Sequence, residues 1–286
     1  MGEWLVPVSR TGGCGCAPGG VLTTLTAQIS VCGPRTDVPA VLWLPPGPGI
    51  GHQIIRALGA ALTGAVRPLL VEYPGHGAGA HPPRDREALV ADLVLAAEAA
   101  GDPVLLGHSW GADLAVTVAA RRPPPALVLI SPPPTVTRAI GWTDGSSTVR
   151  QRVAGRTSHA DWFRRYLLDY ALPLGLANDR ERARRLLADV PTFDLAWRML
   201  RRTADPLPLP LRLRGLSIPT LVLYGRQDDL LDRADMAAMA ELDRVTIVGV
   251  PGGHYPYLDS PVQTRAAVVD FVADVLASVH TDGAAS

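Results

Sequence analysis

A serine hydroxyl is a poor nucleophile until a base takes its proton, and the base needs an acid to hold its tautomer. The chain carries these three residue types in the order Ser109, Asp228, His254. Each stands just past an apolar run that reads as a strand. Pro103-Val104-Leu105-Leu106 leads into Gly107-His108-Ser109-Trp110-Gly111, and Thr220 to Tyr224 leads into Gly225-Arg226-Gln227-Asp228. Val245 to Val248 leads into Pro251-Gly252-Gly253-His254-Tyr255-Pro256. A helical pattern, Ala112-Asp113-Leu114-Ala115-Val116, leaves the serine pentapeptide. A strand entering a helix through so short a turn puts Ser109 on a strained corner with its hydroxyl exposed. The flanking glycines are expected because side chains at those positions would collide across the turn.

Asp229 adjoins Asp228, and the register after Gly225 favours Asp228 as the acid. His108 is expected to pack beside the nucleophile rather than act as base, and His76 and His81 read as loop residues without a chemical role. Acyl transfer also needs donors for a developing oxyanion. The backbone N–H of Trp110, next after the nucleophile, is one expected donor. The loop Pro45-Pro46-Gly47-Pro48-Gly49 should supply the other, and because Pro46 and Pro48 have no N–H the candidate is Gly47. A rigid Pro-Gly turn with no such duty is the competing reading.

The elements that must position these residues alternate. Strands are expected over Leu22 to Cys32, Val38 to Leu44, Pro68 to Glu72, the run into Ser109, Ala126 to Ile130, Thr220 to Tyr224 and Arg244 to Val248. Helices are expected over Gln53 to Leu62, Asp85 to Ala100, the segment from Ser109 to about Arg121, and Val262 to Val279. Strand alternating with helix predicts an α/β fold with a mostly parallel central sheet covered by helices on both faces, and sites at the carboxyl ends of its strands. Between Ile130 and Thr220 the alternation stops. Residues 132–218 show helical patterns only and read as a helical cap inserted into a core made of 1–131 and 219–286.

Together these segments resemble an α/β-hydrolase with a helical cap, over about residues 22 to 280. Gly107 to Gly111 resembles the nucleophile elbow of that family, Gly225 to Asp228 its acid loop, and Gly253-His254 its histidine loop. The order Ser, Asp, His is the family's own. Tyr73-Pro74-Gly75-His76-Gly77 resembles a loop frequent in the family. The resemblance implies that Ser109 is nucleophile, His254 general base and Asp228 its orienter. Pro45 to Gly49 resembles the His-Gly-Gly-Pro-Gly loop of prolyl aminopeptidases, with the His and first Gly replaced by prolines.

Composition narrows the chemistry. All 27 basic residues are arginine, so a lysine Schiff base is excluded. The 27 acidic residues balance them, and with no nucleic-acid motif present no nucleic-acid partner is expected. Cys14, Cys16 and Cys32 make neither a disulfide framework nor a zinc site, so no metal or cofactor is expected. No signal-peptide pattern or membrane-length apolar run is visible, and a cytoplasmic protein is the expectation. Charge is uneven: residues 132–218 hold 15 arginines against 8 acids. They also hold 7 of the 15 aromatic residues, of which Trp142, Trp162 and Tyr166 are candidates to line a substrate pocket. A basic cap suits an anionic partner such as a carboxylate, coenzyme A or an acyl carrier protein, and opposes a substrate bearing an ammonium group.

The leading expectation is a serine hydrolase that cleaves an ester or thioester through an acyl-enzyme, with a thioesterase of the type that serves natural-product pathways as one subclass. A prolyl-aminopeptidase-like peptidase and a cofactor-free lyase or cyclase on the same scaffold are the alternatives. A binding protein that kept the fold without the chemistry is a fourth reading, which the full set of three residues opposes.

Overall fold

The computed structural model describes residues 21–23, 28–31, 37–47, 55–62, 64–73, 85–133 and 207–284. Among the described residues eight strands form one sheet in the order β1-β2-β4-β3-β5-β6-β7-β8. They are β1 (Val21–Thr23), β2 (Gln28–Val31), β3 (Ala40–Leu44), β4 (Arg67–Glu72), β5 (Val104–His108), β6 (Leu127–Ile130), β7 (Thr220–Gly225) and β8 (Val245–Val250). β1 and β2 pair antiparallel, and β2 joins β4 antiparallel. From β4 onward every neighbouring pair is parallel. The segment expected as a single first strand is therefore two, paired with each other.

Alternation along the parallel strands sends side chains to two separate cores, as the period of two requires. Trp43, Val104, Leu106, Val128, Ile130, Leu221 and Leu223 face one core. Leu42, Leu44, Leu105, Leu127, Leu129 and Val222 face the other. Helices α1 (Arg56–Leu62), α6 (Pro256–Asp259) and α7 (Pro261–Ala284) cover the first. The second is covered by α2 (Arg86–Ala99), α3 (Trp110–Arg121), α4 (Leu209–Arg214) and α5 (Arg233–Ala240). The two-faced α/β architecture is as the sequence predicts. Asp85 caps α2 by accepting from the Ala88 N–H, and Asp232 caps α5 through the N–H groups of Ala234 and Asp235.

Residues 134–206, nearly all of the expected cap, lie outside the described residues, and so do Trp142, Trp162 and Tyr166. The chain returns at 207 into α4, whose Leu209 and Leu213 are buried against the core that α3 and α5 share. Two further helices, α5 and α6, are short elements the sequence pattern did not single out. Among the described residues no helix is long and apolar enough to cross a membrane.

Candidate active site

Ser109 sits between β5 and α3 with φ 52° and ψ −121°, a backbone state that L-residues rarely adopt. Two glycines make this corner possible. A Cβ on Gly107 would lie 2.3 Å from the Gly111 carbonyl oxygen, across the turn as expected. A Cβ on Gly111 would instead meet the Leu44 oxygen at 2.2 Å and the Pro45 oxygen at 2.5 Å. Gly111 therefore also lets the corner press against the loop that leaves β3.

The same closeness joins the other two loops. A Cβ on Gly225 would stand 2.1 Å from the Gly253 oxygen and 2.3 Å from the Gly252 oxygen. The β7 and β8 loops thus touch backbone to backbone. The Gln227 N–H donates to the Gly252 oxygen at 2.9 Å, and the Gln227 side-chain oxygen accepts from the Gly252 N–H. Gly252 takes φ 119°, and Asp259 accepts from the Gly253 N–H at 2.7 Å. These contacts fix where His254 emerges.

His254 Nδ1 donates to Asp228 Oδ2 at 2.9 Å, with Asp228 2% and His254 5% exposed. Asp229, the rival acid, is exposed. Burial pushes the Asp228 carboxyl up, but the His254 charge and hydrogen bond, the Leu230 N–H at 3.0 Å from Oδ1 and the neighbouring Ser131 together outweigh it. The net result holds Asp228 below the usual carboxylate range. The buried Ser131 hydroxyl adds to this lowering, although among the described residues it meets no group in hydrogen-bonding geometry. With Nδ1 protonated toward Asp228, His254 keeps its Nε2 lone pair for a proton. Among the described residues no hydrogen bond joins Ser109 Oγ to His254; in enzymes of this kind such a contact commonly tightens only in the complex with substrate.

His108 brings the serine corner and the histidine loop together. Its Nε2 donates to the His254 backbone oxygen at 2.8 Å, and its ring centroid lies 5.0 Å from that of His254. On the other side Tyr257 donates to His108 Nδ1 at 3.0 Å. Burial pushes the His108 imidazole well below its ordinary value, and the nearby His254 charge pushes the same way. His108 therefore stays neutral. The sequence placed His108 beside the nucleophile but did not reveal these two bonds.

The loop after β3 lies beside the start of α3. Gly47 takes φ 153° there, and Trp110 opens α3 with its N–H directed out of the helix N-terminus. Tyr73 touches both. Its hydroxyl donates to the Pro45 oxygen at 3.0 Å, and its ring packs edge-on against Trp110 with centroids 5.0 Å apart. Burial, and then the charges of Glu72 and Asp113, push the Tyr73 hydroxyl well above its ordinary value, so it remains a donor. His76, His81, Pro48 and Gly49 lie outside the described residues.

A charged cluster also escaped sequence reading. Asp113 on α3 bonds Arg86 of α2 and Arg212 of α4, and both guanidiniums reach Thr117 Oγ1, at 2.8 Å and 2.6 Å. Bidentate use of one carboxylate by two arginines pins the segment returning at 207 onto the helix that begins at Trp110. Partners 27 and 99 residues apart carry no local signal.

Residues 41–268 match the alpha/beta hydrolase family. No curated protein sequence matches the chain significantly. Among solved structures the chain is similar to a hydrolase from Pseudomonas aeruginosa PA01, at 21% identity and TM-score 0.71 over 88% of this chain and 97% of that one. It is also similar to a thermophilic esterase from Thermogutta terrifontis, at 20% identity and TM-score 0.68 over 96% and 99% of the two chains. A thioesterase domain from the curacin biosynthetic pathway aligns at 18% identity and TM-score 0.62, over 89% of this chain and 98% of that domain. At such identities these likenesses speak to the fold.

Proposed function

Because the chain belongs to the alpha/beta hydrolase family, we propose that it is a serine hydrolase that cleaves an ester or thioester through an acyl-enzyme. The observation that carries this reading is the buried Asp228–His254 pair, 2.9 Å apart, tethered through His108 to the corner that holds Ser109. Ser109 Oγ attacks the acyl carbonyl carbon as its proton passes to His254 Nε2. Charge gathers on the carbonyl oxygen, where the N–H groups of Trp110 and Gly47 receive it. The C–O or C–S bond then breaks, and His254 returns the proton to the leaving group. Water repeats the sequence on the acyl-Ser109 ester and releases the acid. Asp228 stays ionised throughout and stabilises the imidazolium that forms twice per turnover.

The charge of residues 132–218 supports an acyl group delivered on an anionic carrier, coenzyme A or an acyl carrier protein, and opposes an amino-terminal peptide substrate. Residues Trp142, Trp162 and Tyr166 are proposed to face the acyl chain. Acyl thioesters, aryl esters and amino-acid arylamides tested side by side distinguish these options. A pre-steady-state burst with an activated ester and steady turnover of acyl-coenzyme A are expected, with arylamides inert. Cleavage of proline arylamides alone would replace this reading with the peptidase.

A further inference from the structure

We propose that His108 is a positioning residue for His254, locked in a single neutral tautomer by two neighbours; this rests on the reading of His254 as the base. A backbone carbonyl can only accept, so the 2.8 Å contact to the His254 oxygen requires the proton on Nε2. In a neutral ring Nδ1 is then bare and accepts the Tyr257 hydroxyl at 3.0 Å. Tyr257 is itself buried, and burial pushes its hydroxyl well above the ordinary range, so it remains a donor. Every polar atom of the chain Tyr257 to His108 to His254 has one role, and each role fixes the next.

The strand dictates where this ring goes. Val104 and Leu106 face the core covered by α1, α6 and α7, and the period of two sends His108 to the same face. That face is where His254, Tyr255 and Tyr257 stand, with the three ring centroids 4.8 to 5.3 Å from His108. The residue preceding the nucleophile thus grips the main chain of the base. Both ring nitrogens are engaged, so His108 has no lone pair or proton to offer a substrate. Its effect runs through the placement of His254 relative to Ser109, where an error of about 1 Å costs on the order of 100-fold in rate.

The test compares two polar replacements. The side-chain N–H of His108→Gln reaches as far as Nε2 and keeps the bond to the His254 oxygen. The side-chain N–H of His108→Asn reaches only as far as Nδ1 and loses it. With an activated aryl ester, His108→Asn is expected to lose about 10- to 100-fold in kcat with KM nearly unchanged. His108→Gln should stay within a few-fold of the wild type. Two NMR signals make the result independent of turnover. In the wild-type protein His108 should show a protonated Nε2 and an unprotonated Nδ1. The downfield proton of His254 Nδ1 bonded to Asp228 should persist in His108→Gln and broaden or move in His108→Asn.

Equal kcat for the two variants, or a protonated Nδ1 on His108, would overturn the proposal. A side chain that only fills space would lower the melting temperature in both variants and separate neither kcat nor the downfield signal. If the wild type itself turns over no ester or thioester, the functional reading fails, while the His108 tautomer is still read from its nitrogen shifts.

Discussion

Asp228 Oδ2 and His254 Nδ1 meet at 2.9 Å across two loops whose backbones touch at Gly225 and Gly253. The neighbouring Asp229 points to solvent. Asp228→Asn keeps the shape but turns an acceptor into a donor, so His254 loses the partner that holds its proton on Nδ1. A fall of kcat on the order of 10³- to 10⁴-fold is expected, with little change in fold. Asp229→Asn should leave kcat within about two-fold, as for an exposed site. Steady-state kinetics on the two variants decide which carboxylate works, and equal losses would contradict the assignment.

Tyr73 links the loop that carries one proposed oxyanion donor, Gly47, to the other, Trp110, through its hydroxyl on the Pro45 oxygen and its ring on Trp110. Tyr73→Phe keeps the ring and removes the hydrogen bond. About 1 kcal/mol of stability should go with it. If the Pro45 loop carries an oxyanion donor, kcat should fall by about 10-fold with KM unchanged, because that donor matters most in the transition state. A stability loss with kcat intact would show the bond to be structural only.

The places of Ser109, Asp228 and His254 past the ends of strands are legible in the sequence because each follows an apolar run and each carries its own local punctuation, Gly107 and Gly111 about Ser109, Gly225 before Asp228, Gly253 before His254. The parallel sheet followed from alternation for the same reason. Contacts that depend on tertiary distance were not legible. Asp113 meets Arg212 from 99 residues away, and His108 meets Tyr257 from 149. No spacing rule connects such pairs. The short helix α6 was missed because its one turn, opened by Pro256, is shorter than any periodicity can reveal.

Glycine chemistry separates required positions from tolerant ones. Gly225→Ala would bring a Cβ to 2.1 Å from a backbone oxygen that cannot move without dragging His254. A cost of about 3 kcal/mol or more and a large loss of activity are expected. Gly215 at the end of α4 has φ −76°, and a Cβ there meets nothing closer than 3.5 Å. Gly215→Ala should be neutral or gain up to about 1 kcal/mol by stiffening the unfolded chain. Thermal melts of both variants check the contrast.

The buried, neutral His108 makes stability depend on pH. Its folded value lies well below the unfolded value of about 6.5. On acidification the unfolded chain therefore takes the proton first. His108 is without penalty above about pH 6.5, and stability is lost progressively as pH falls through that value toward the folded one. His108→Gln removes this loss, so the variant should gain on the wild type in melting temperature between about pH 7.5 and about pH 5. Asp228 acts lower: its depressed value keeps its contribution present above about pH 4, to be lost only as pH falls further. Parallel melting curves for wild type and His108→Gln would contradict a buried neutral imidazole.

Ser109, set at φ 52° on its corner, is proposed to be the group that takes the acyl chain. Labelling the intact protein with a fluorophosphonate and reading its mass tests this role. One adduct per chain is predicted, mapped by peptide sequencing to Ser109, absent in Ser109→Ala and accompanied by complete loss of ester turnover. Undiminished turnover in Ser109→Ala, or an adduct on another residue, would contradict it.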